Sequence, residues 1–210
     1  MKCLPWLILA VVLIGCGTSR HASMQRFGIV MSEEGHFGSF IVAGEGYAYV
    51  AKHVVALSDS TIGKFYLFHG GATDSTSYVV ASEGDVVLVR TSLGQPMEPV
   101  GYASGSYAEQ VVWVQPHFSY ERAPHLYVIV GRIARFEGDA IYVDRAVVQG
   151  VSGSGVWNMD GKLLGMMYMI TAYEFGAVYG IFTPIPDRLQ AQIVPREKPP
   201  LETLFNGRSP

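Results

Sequence analysis

From Phe27 onward the sequence breaks into short apolar runs, and that rhythm restricts the fold more than any other feature. FGIVMS (27–32), GSFIVA (38–43), YAYVA (47–51), KFYLFH (64–69) and YVVAS (78–82) come first. They are rich in β-branched and aromatic side chains, which suit a pleated sheet, and Gly, Ser and Asp clusters separate them. DVVLVR from Asp85, VVWVQP (111–116), HLYVIVGRIARF (125–136) and AIYVDRAV (140–147) continue the pattern, as do GVWN, KLLGMMYMI and AVYGIFTPI beyond them. About twelve strands at regular spacing predict a sandwich or barrels. Only HVVAL, starting at His53, and PDRLQAQI (186–193) read as helical, and no internal repeat is visible. TSLGQPMEPVGYASGS (91–106) has the composition of a connection between two barrels. The core must carry such a fold without disulfides, because both cysteines, Cys3 and Cys16, lie near the N-terminus. The apolar material is there: 49% of residues are hydrophobic, with twelve Tyr, ten Phe and three Trp.

Three segments carry chemistry. YVAKHVV surrounds His53, EGDVVLVR contains Asp85, and QGVSGSGVWNMDGKLLG (149–165) contains Ser152. A serine hydroxyl is a poor nucleophile until a histidine accepts its proton, and a buried carboxylate holds that histidine in the useful tautomer. Asp85 heads an apolar strand, where a carboxylate is costly to bury unless partnered, and a histidine would partner it. Asp59 and Asp74 lead into no comparable strand. Gly150 and Gly153 flank Ser152, and glycine permits the curled backbone that points N–H groups at a developing oxyanion. An α/β-hydrolase elbow would place glycine two residues before and two after the serine. Ser152 has Gly150 before it but Ser154 after it, and Ser154 is followed two residues on by Val156, so neither serine fits.

In the order His, Asp, Ser these segments resemble those of trypsin-like (chymotrypsin-fold) serine peptidases, particularly the bacterial trypsin-like domains. Those families read AAHV or NAHV, then an aspartate heading an apolar strand that closes on Arg or Lys, then Gly, Asp or Asn, Ser, Gly, Gly or Ser, and Pro. The resemblance spans roughly residues 27 to 190. It implies an all-β chain of two six-stranded antiparallel barrels with a short C-terminal helix. The N-terminal barrel would occupy about 27–92 and the C-terminal barrel about 105–185, within a domain ending near 194. The implied activity is peptide-bond hydrolysis by a Ser152–His53–Asp85 triad, with the oxyanion hole at the N–H groups of Gly150 and Ser152. Four positions depart from the family pattern: Lys52 before the histidine, Val151 for Asp or Asn, Ser154 for the second glycine (a common variant), and Gly155 for proline. Val151 cannot pair with a new amino terminus, so activation by N-terminal cleavage is not expected. The primary pocket would be walled by the segment near Ala146 and by Tyr168, Met169 and Ile170. With no acidic residue at its floor, a small or medium apolar residue is expected before the scissile bond. The alternative is a catalytically impaired protein of the same fold that acts as a binding or scaffold lipoprotein.

The N-terminal segment MKCLPWLILAVVLIGCGTSR reads as a targeting sequence: Lys2 provides a short basic region, followed by an apolar run too short to span a bilayer comfortably. LIGC, ending at Cys16, resembles the lipobox of bacterial lipoproteins, in which the cysteine is acylated and becomes the first residue. An ordinary signal peptide, or an uncleaved anchor with an incidental cysteine, is the competing reading. Lipidation would leave residues 16–26 as a tether and place the protein in the bacterial cell envelope, with the outer membrane slightly favoured because Gly17 follows the cysteine. Residues 195–210, with four prolines, read as a flexible tail. Neither HExxH nor CxxC nor a glycine-rich phosphate loop occurs, so no metal or cofactor is expected. A net charge of −3 without a Lys/Arg cluster argues against a nucleic-acid partner. The expected partners are a polypeptide substrate and a membrane reached through Cys16.

Overall fold

The computed structural model describes residues 26–93, 99–103, 111–114, 117–118, 125–126, 129–145, 150–174 and 177–193. The first half is one antiparallel sheet built from β1 (Phe27–Ser32), β2 (Phe37–Gly44), β3 (Tyr47–Ala51), β4 (Phe65–His69), β5 (Ala72–Asp74), β6 (Tyr78–Glu83) and β7 (Val86–Arg90). Its strands lie in the order β5-β4-β1-β2-β3-β7-β6. β1 shows the period-two burial of a half-covered strand, whereas β7 is buried along four successive residues because both of its faces are covered. Six strands were expected here, and the seventh is β5, a three-residue strand joined to β4 through Gly70 and Gly71. A one-turn helix, α1 (Lys52–Val55), follows β3 directly, as HVVAL suggested.

The second half contains a closed six-stranded barrel in the order β11-β12-β15-β14-β13-β8. Its strands are β8 (Val111–Val114), β11 (Ile129–Glu137), β12 (Ala140–Val143), β13 (Gly155–Asn158), β14 (Leu163–Glu174) and β15 (Ala177–Thr183). β9 (His117–Phe118) and β10 (His125–Leu126) form a separate two-stranded ribbon. The short C-terminal helix is α2 (Asp187–Gln190). Among the described residues no helix is long and apolar enough to cross a membrane.

The two halves share apolar packing. Trp157, Leu163 and Met166 of the second half, with Ile185, Leu189 and Ile193 beyond it, belong to the same buried cluster as Phe40, Tyr49 and Leu88 of the first. Each such side chain, fully buried, contributes roughly 1.5–3 kcal/mol relative to exposure. The connection between the halves is bonded to both: Val100 N–H donates to Ala43 C=O (2.8 Å), and Ala103 N–H donates to Leu163 C=O (2.9 Å). Tyr102 adds a 2.7 Å phenol–phenol hydrogen bond to buried Tyr49, and burial first of all pushes its own ionisation up to about 12. A second cluster, including Ile133, Ile141, Val151, Leu164 and Phe182, fills the closed barrel.

Candidate active site

His53 and Asp85 are brought together by strand pairing. β3 and β7 are neighbours with Ala51 opposite Val86, so the residues after Ala51 and before Val86 leave the sheet at the same end. Lys52 N–H donates to the Asp85 carbonyl (2.7 Å), which fixes the start of α1. The Asp85 carboxylate then holds its partner at two points: Oδ1 accepts from the His53 backbone N–H (2.9 Å), and Oδ2 meets His53 Nδ1 at 2.7 Å. An ionised carboxylate only accepts, so Nδ1 carries the proton and Nε2 is left as the basic nitrogen. The Asp85 side chain is 15% exposed and that of His53 40%, so the carboxylate is sheltered while the imidazole still faces the solvent side.

The loop bearing Ser152 docks onto this end of the first sheet from the second half. Ser39, fully buried on β2, donates its N–H to the Ser152 carbonyl (2.7 Å), and its hydroxyl makes a longer, 3.4 Å contact to the Gly150 carbonyl. On the other side Gly153 N–H donates to Met167 C=O (2.8 Å), and Met167 N–H returns a bond to Ser154 C=O (2.8 Å). Gly150 and Gly153 hold φ of +87° and +88°, a backbone region that L-residues seldom adopt. Gly153 is constrained twice, because a β-carbon there would lie 1.9 Å from the Ser39 carbonyl oxygen and 3.6 Å from the Ala51 nitrogen. A β-carbon on Gly38 would likewise meet the Ser152 carbonyl oxygen at 2.7 Å and the Val54 side chain at 3.0 Å. The Ser152 turn and the residue following His53 therefore converge on the same glycine.

Two departures from the family pattern find physical accounts. Val151 is fully buried in the second-barrel cluster, so apolar packing anchors the loop at the position where the family has Asp or Asn. Gly155 opens β13, and a β-carbon there would fall 2.4 Å from Trp157 Nε1, so glycine makes room for the buried indole. Asp74 and Asp59 are satisfied elsewhere. Asp74 accepts from Thr76, Ser77, Thr91 and the Ser92 N–H; burial works to raise its carboxyl, but these hydrogen bonds prevail and hold it well below the usual carboxylate range. Asp59 caps a turn through Thr61. Of the residues expected to wall the pocket, Tyr168 lies against His53, with ring centroids 6.1 Å apart. Met169 is paired with Ile181 on β15, and Ile170 continues the same strand. Ala146 and Cys16 fall outside the described residues. Sequence reasoning did not find Ser39; its contact to Gly150 spans 111 residues and leaves no local signal.

Among the described residues no group of three His, Cys, Asp or Glu side chains could hold a metal ion. No protein-family model and no curated sequence matches the chain. Solved structures do. The Rv3671c protease of M. tuberculosis in its inactive form aligns with a TM-score of 0.64 at 18% identity, over 81% of this chain and 89% of that one. Its active form gives 0.63 at 17% identity, over 79% and 78% of the two chains. A serine endoprotease from Yersinia pestis gives 0.65 at 17% identity, over 84% of this chain and 67% of its own. The likeness shows the fold: a seven-stranded antiparallel sheet packed with a closed six-stranded barrel, as in these proteases.

Proposed function

We propose that the chain is a serine endopeptidase in which Ser152 is the nucleophile, His53 the general base and Asp85 the residue that orients it. The observation that carries this reading is the double hold of Asp85 on His53, at the backbone N–H (2.9 Å) and at Nδ1 (2.7 Å). A carboxylate used only for stability needs no such grip on an imidazole, whereas a base must present Nε2 deprotonated and in one direction. The docking of the glycine-hinged Ser152 turn onto Ser39, beside the His53 helix, supports the same reading.

In the reaction the Ser152 hydroxyl proton passes to His53 Nε2 as Oγ attacks the substrate carbonyl carbon. The negative charge on the carbonyl oxygen is received by the N–H groups of Gly150 and Ser152. Collapse of the tetrahedral species breaks the C–N bond, and the leaving amine takes the proton from Nε2. Water then repeats the sequence on the acyl-enzyme, and the acid product leaves with Ser152 restored. Preorganised donors of this kind, acting away from bulk water, supply the largest share of such rate accelerations.

The primary specificity in this reading is for a small or medium apolar residue, because the sequence offers no acidic group at the pocket floor. Lipidation at Cys16 would hold the domain at the bacterial envelope on the tether 16–26, where its polypeptide substrates would be met. The test is hydrolysis of an unfolded protein such as casein by purified protein, with Ser152→Ala and His53→Ala as controls. Cleavage by the wild type alone is the expected result. Equal cleavage by Ser152→Ala would remove the assignment.

A further inference from the structure

Asp85 fixes the imidazole of His53 at one edge only, and a ring hydrogen-bonded at Nδ1 can still tilt about that bond. We infer that Tyr168 supplies the second point of support and is a positioning residue for His53; the inference rests on the peptidase reading above. Two independent observations lead to it. The first is a ring contact across the two halves of the molecule: the Tyr168 and His53 ring centroids are 6.1 Å apart with planes at 83°, an edge-to-face arrangement. The second is the backbone that delivers the ring. β14 pairs with β15 through Met167 opposite Phe182 and Met169 opposite Ile181, so two steps on β14 answer one step on β15. Tyr168 is the extra residue of that β-bulge.

Such bulges re-aim a side chain, and here the result is plain in the burial. Met166 and Met167 are both fully buried, whereas Tyr168 is turned out to 37% exposure. An exposed tyrosine has no packing reason to point at the opposite half of the molecule, yet its ring lies on the imidazole. The position also sits directly after Met167, whose backbone closes the Ser152 turn through Gly153 and Ser154. One short stretch of β14 therefore braces both the loop of the nucleophile and the ring of the base.

The contact is made by the ring and not by the phenol oxygen, which sets the test. Two readouts are needed: the second-order rate at which a fluorophosphonate phosphonylates Ser152, and the low-field Nδ1 proton of His53 in protein carrying ¹⁵N-histidine. An imidazole held in one orientation keeps that proton in a persistent hydrogen bond and exchanging slowly with water. Tyr168→Phe, which keeps the ring, should retain the slow-exchanging proton signal. Tyr168→Ala and Tyr168→Leu should lose the slow exchange and label more slowly by about two- to twelve-fold, the span that an edge-to-face ring contact is worth. Wild-type behaviour of Tyr168→Ala or Tyr168→Leu in both readouts overturns the inference, as does a Tyr168→Phe protein whose Nδ1 proton exchanges as fast as that of Tyr168→Ala. If even the wild type is not phosphonylated, the peptidase reading fails, but the proton signal still decides the role of Tyr168.

Discussion

Asp85→Asn changes one atom at the point where the site is most constrained. In the wild type both carboxylate oxygens accept, Oδ1 from the His53 backbone N–H at 2.9 Å and Oδ2 from Nδ1 at 2.7 Å. An asparagine side chain has one acceptor and one donor, so it can satisfy only one of these as it stands. If its NH2 faced the backbone N–H, two donors would meet, and the backbone group has no second tautomer to offer. Leaving it unsatisfied would cost about 1–3 kcal/mol. The oxygen therefore stays with the backbone and the NH2 faces Nδ1, which must give up its proton and become the acceptor. His53 is then an Nε2–H tautomer, unable to take the proton of Ser152. In the trypsin triad the same replacement lowers turnover by about 10⁴, or about 5.4 kcal/mol at 1.36 kcal/mol per decade. The expected outcome here is a loss of that order in peptide hydrolysis and in the phosphonylation rate, with thermal stability nearly unchanged because the side chain is isosteric. Histidine ¹⁵N shifts should report the tautomer change directly. An Asp85→Asn enzyme within ten-fold of the wild type would refute the argument, since the geometry leaves no other tautomer.

Gly153→Ala should abolish phosphonylation and lower the melting temperature, because the new β-carbon meets the Ser39 carbonyl at 1.9 Å in a backbone held at φ +88°; an active, equally stable variant would contradict the docking of the loop. Asp74→Asn should destabilise the fold by about 1–3 kcal/mol near neutral pH, as expected for disrupting a buried hydrogen-bonded carboxylate. Since the folded carboxyl lies below its ordinary value, its contribution is full above about pH 4 and falls away as acid protonates it. Urea unfolding at successive pH values should therefore show the wild-type advantage shrinking on acidification, and an advantage growing toward low pH would reverse the sign. Cys16→Ser should move the protein from the detergent phase to the aqueous phase in a partition experiment, and an aqueous wild type would remove the lipid anchor. Cleavage of a peptide library should favour small or medium apolar residues before the scissile bond; strong selection for Lys or Arg would show that the pocket has been misplaced.

The strand rhythm made the all-β fold legible, because period-two and fully buried runs leave composition traces that local turns punctuate. β5 escaped notice: three residues, two of them exposed, carry no apolar pattern. His53 and Asp85 could be read because a single strand pairing, Ala51 with Val86, brings two recognisable segments to one end of the sheet. The glycines around Ser152 announced a tight turn, and the positive φ values at Gly150 and Gly153 bear that out. What holds that turn was not readable. Ser39 acts mainly through its backbone N–H, which any non-proline residue would offer, so the sequence gives no sign of it. Gly155 stood out only as a glycine in place of the family's proline, yet its meaning lies in the Trp157 indole packed over it. Tyr168 could be placed on a strand, but the bulge that swings it to His53 depends on the register with β15, a relation between two segments that neither states alone.

The most direct measurement of the central claim is reaction of the folded protein with a fluorophosphonate, followed by intact-mass analysis and peptide mapping. The account predicts one phosphonyl group per chain, mapped to Ser152, abolished in Ser152→Ala and strongly slowed in His53→Ala. A folded wild-type protein that remains unmodified, or one modified at another serine while Ser152 stays free, would contradict it.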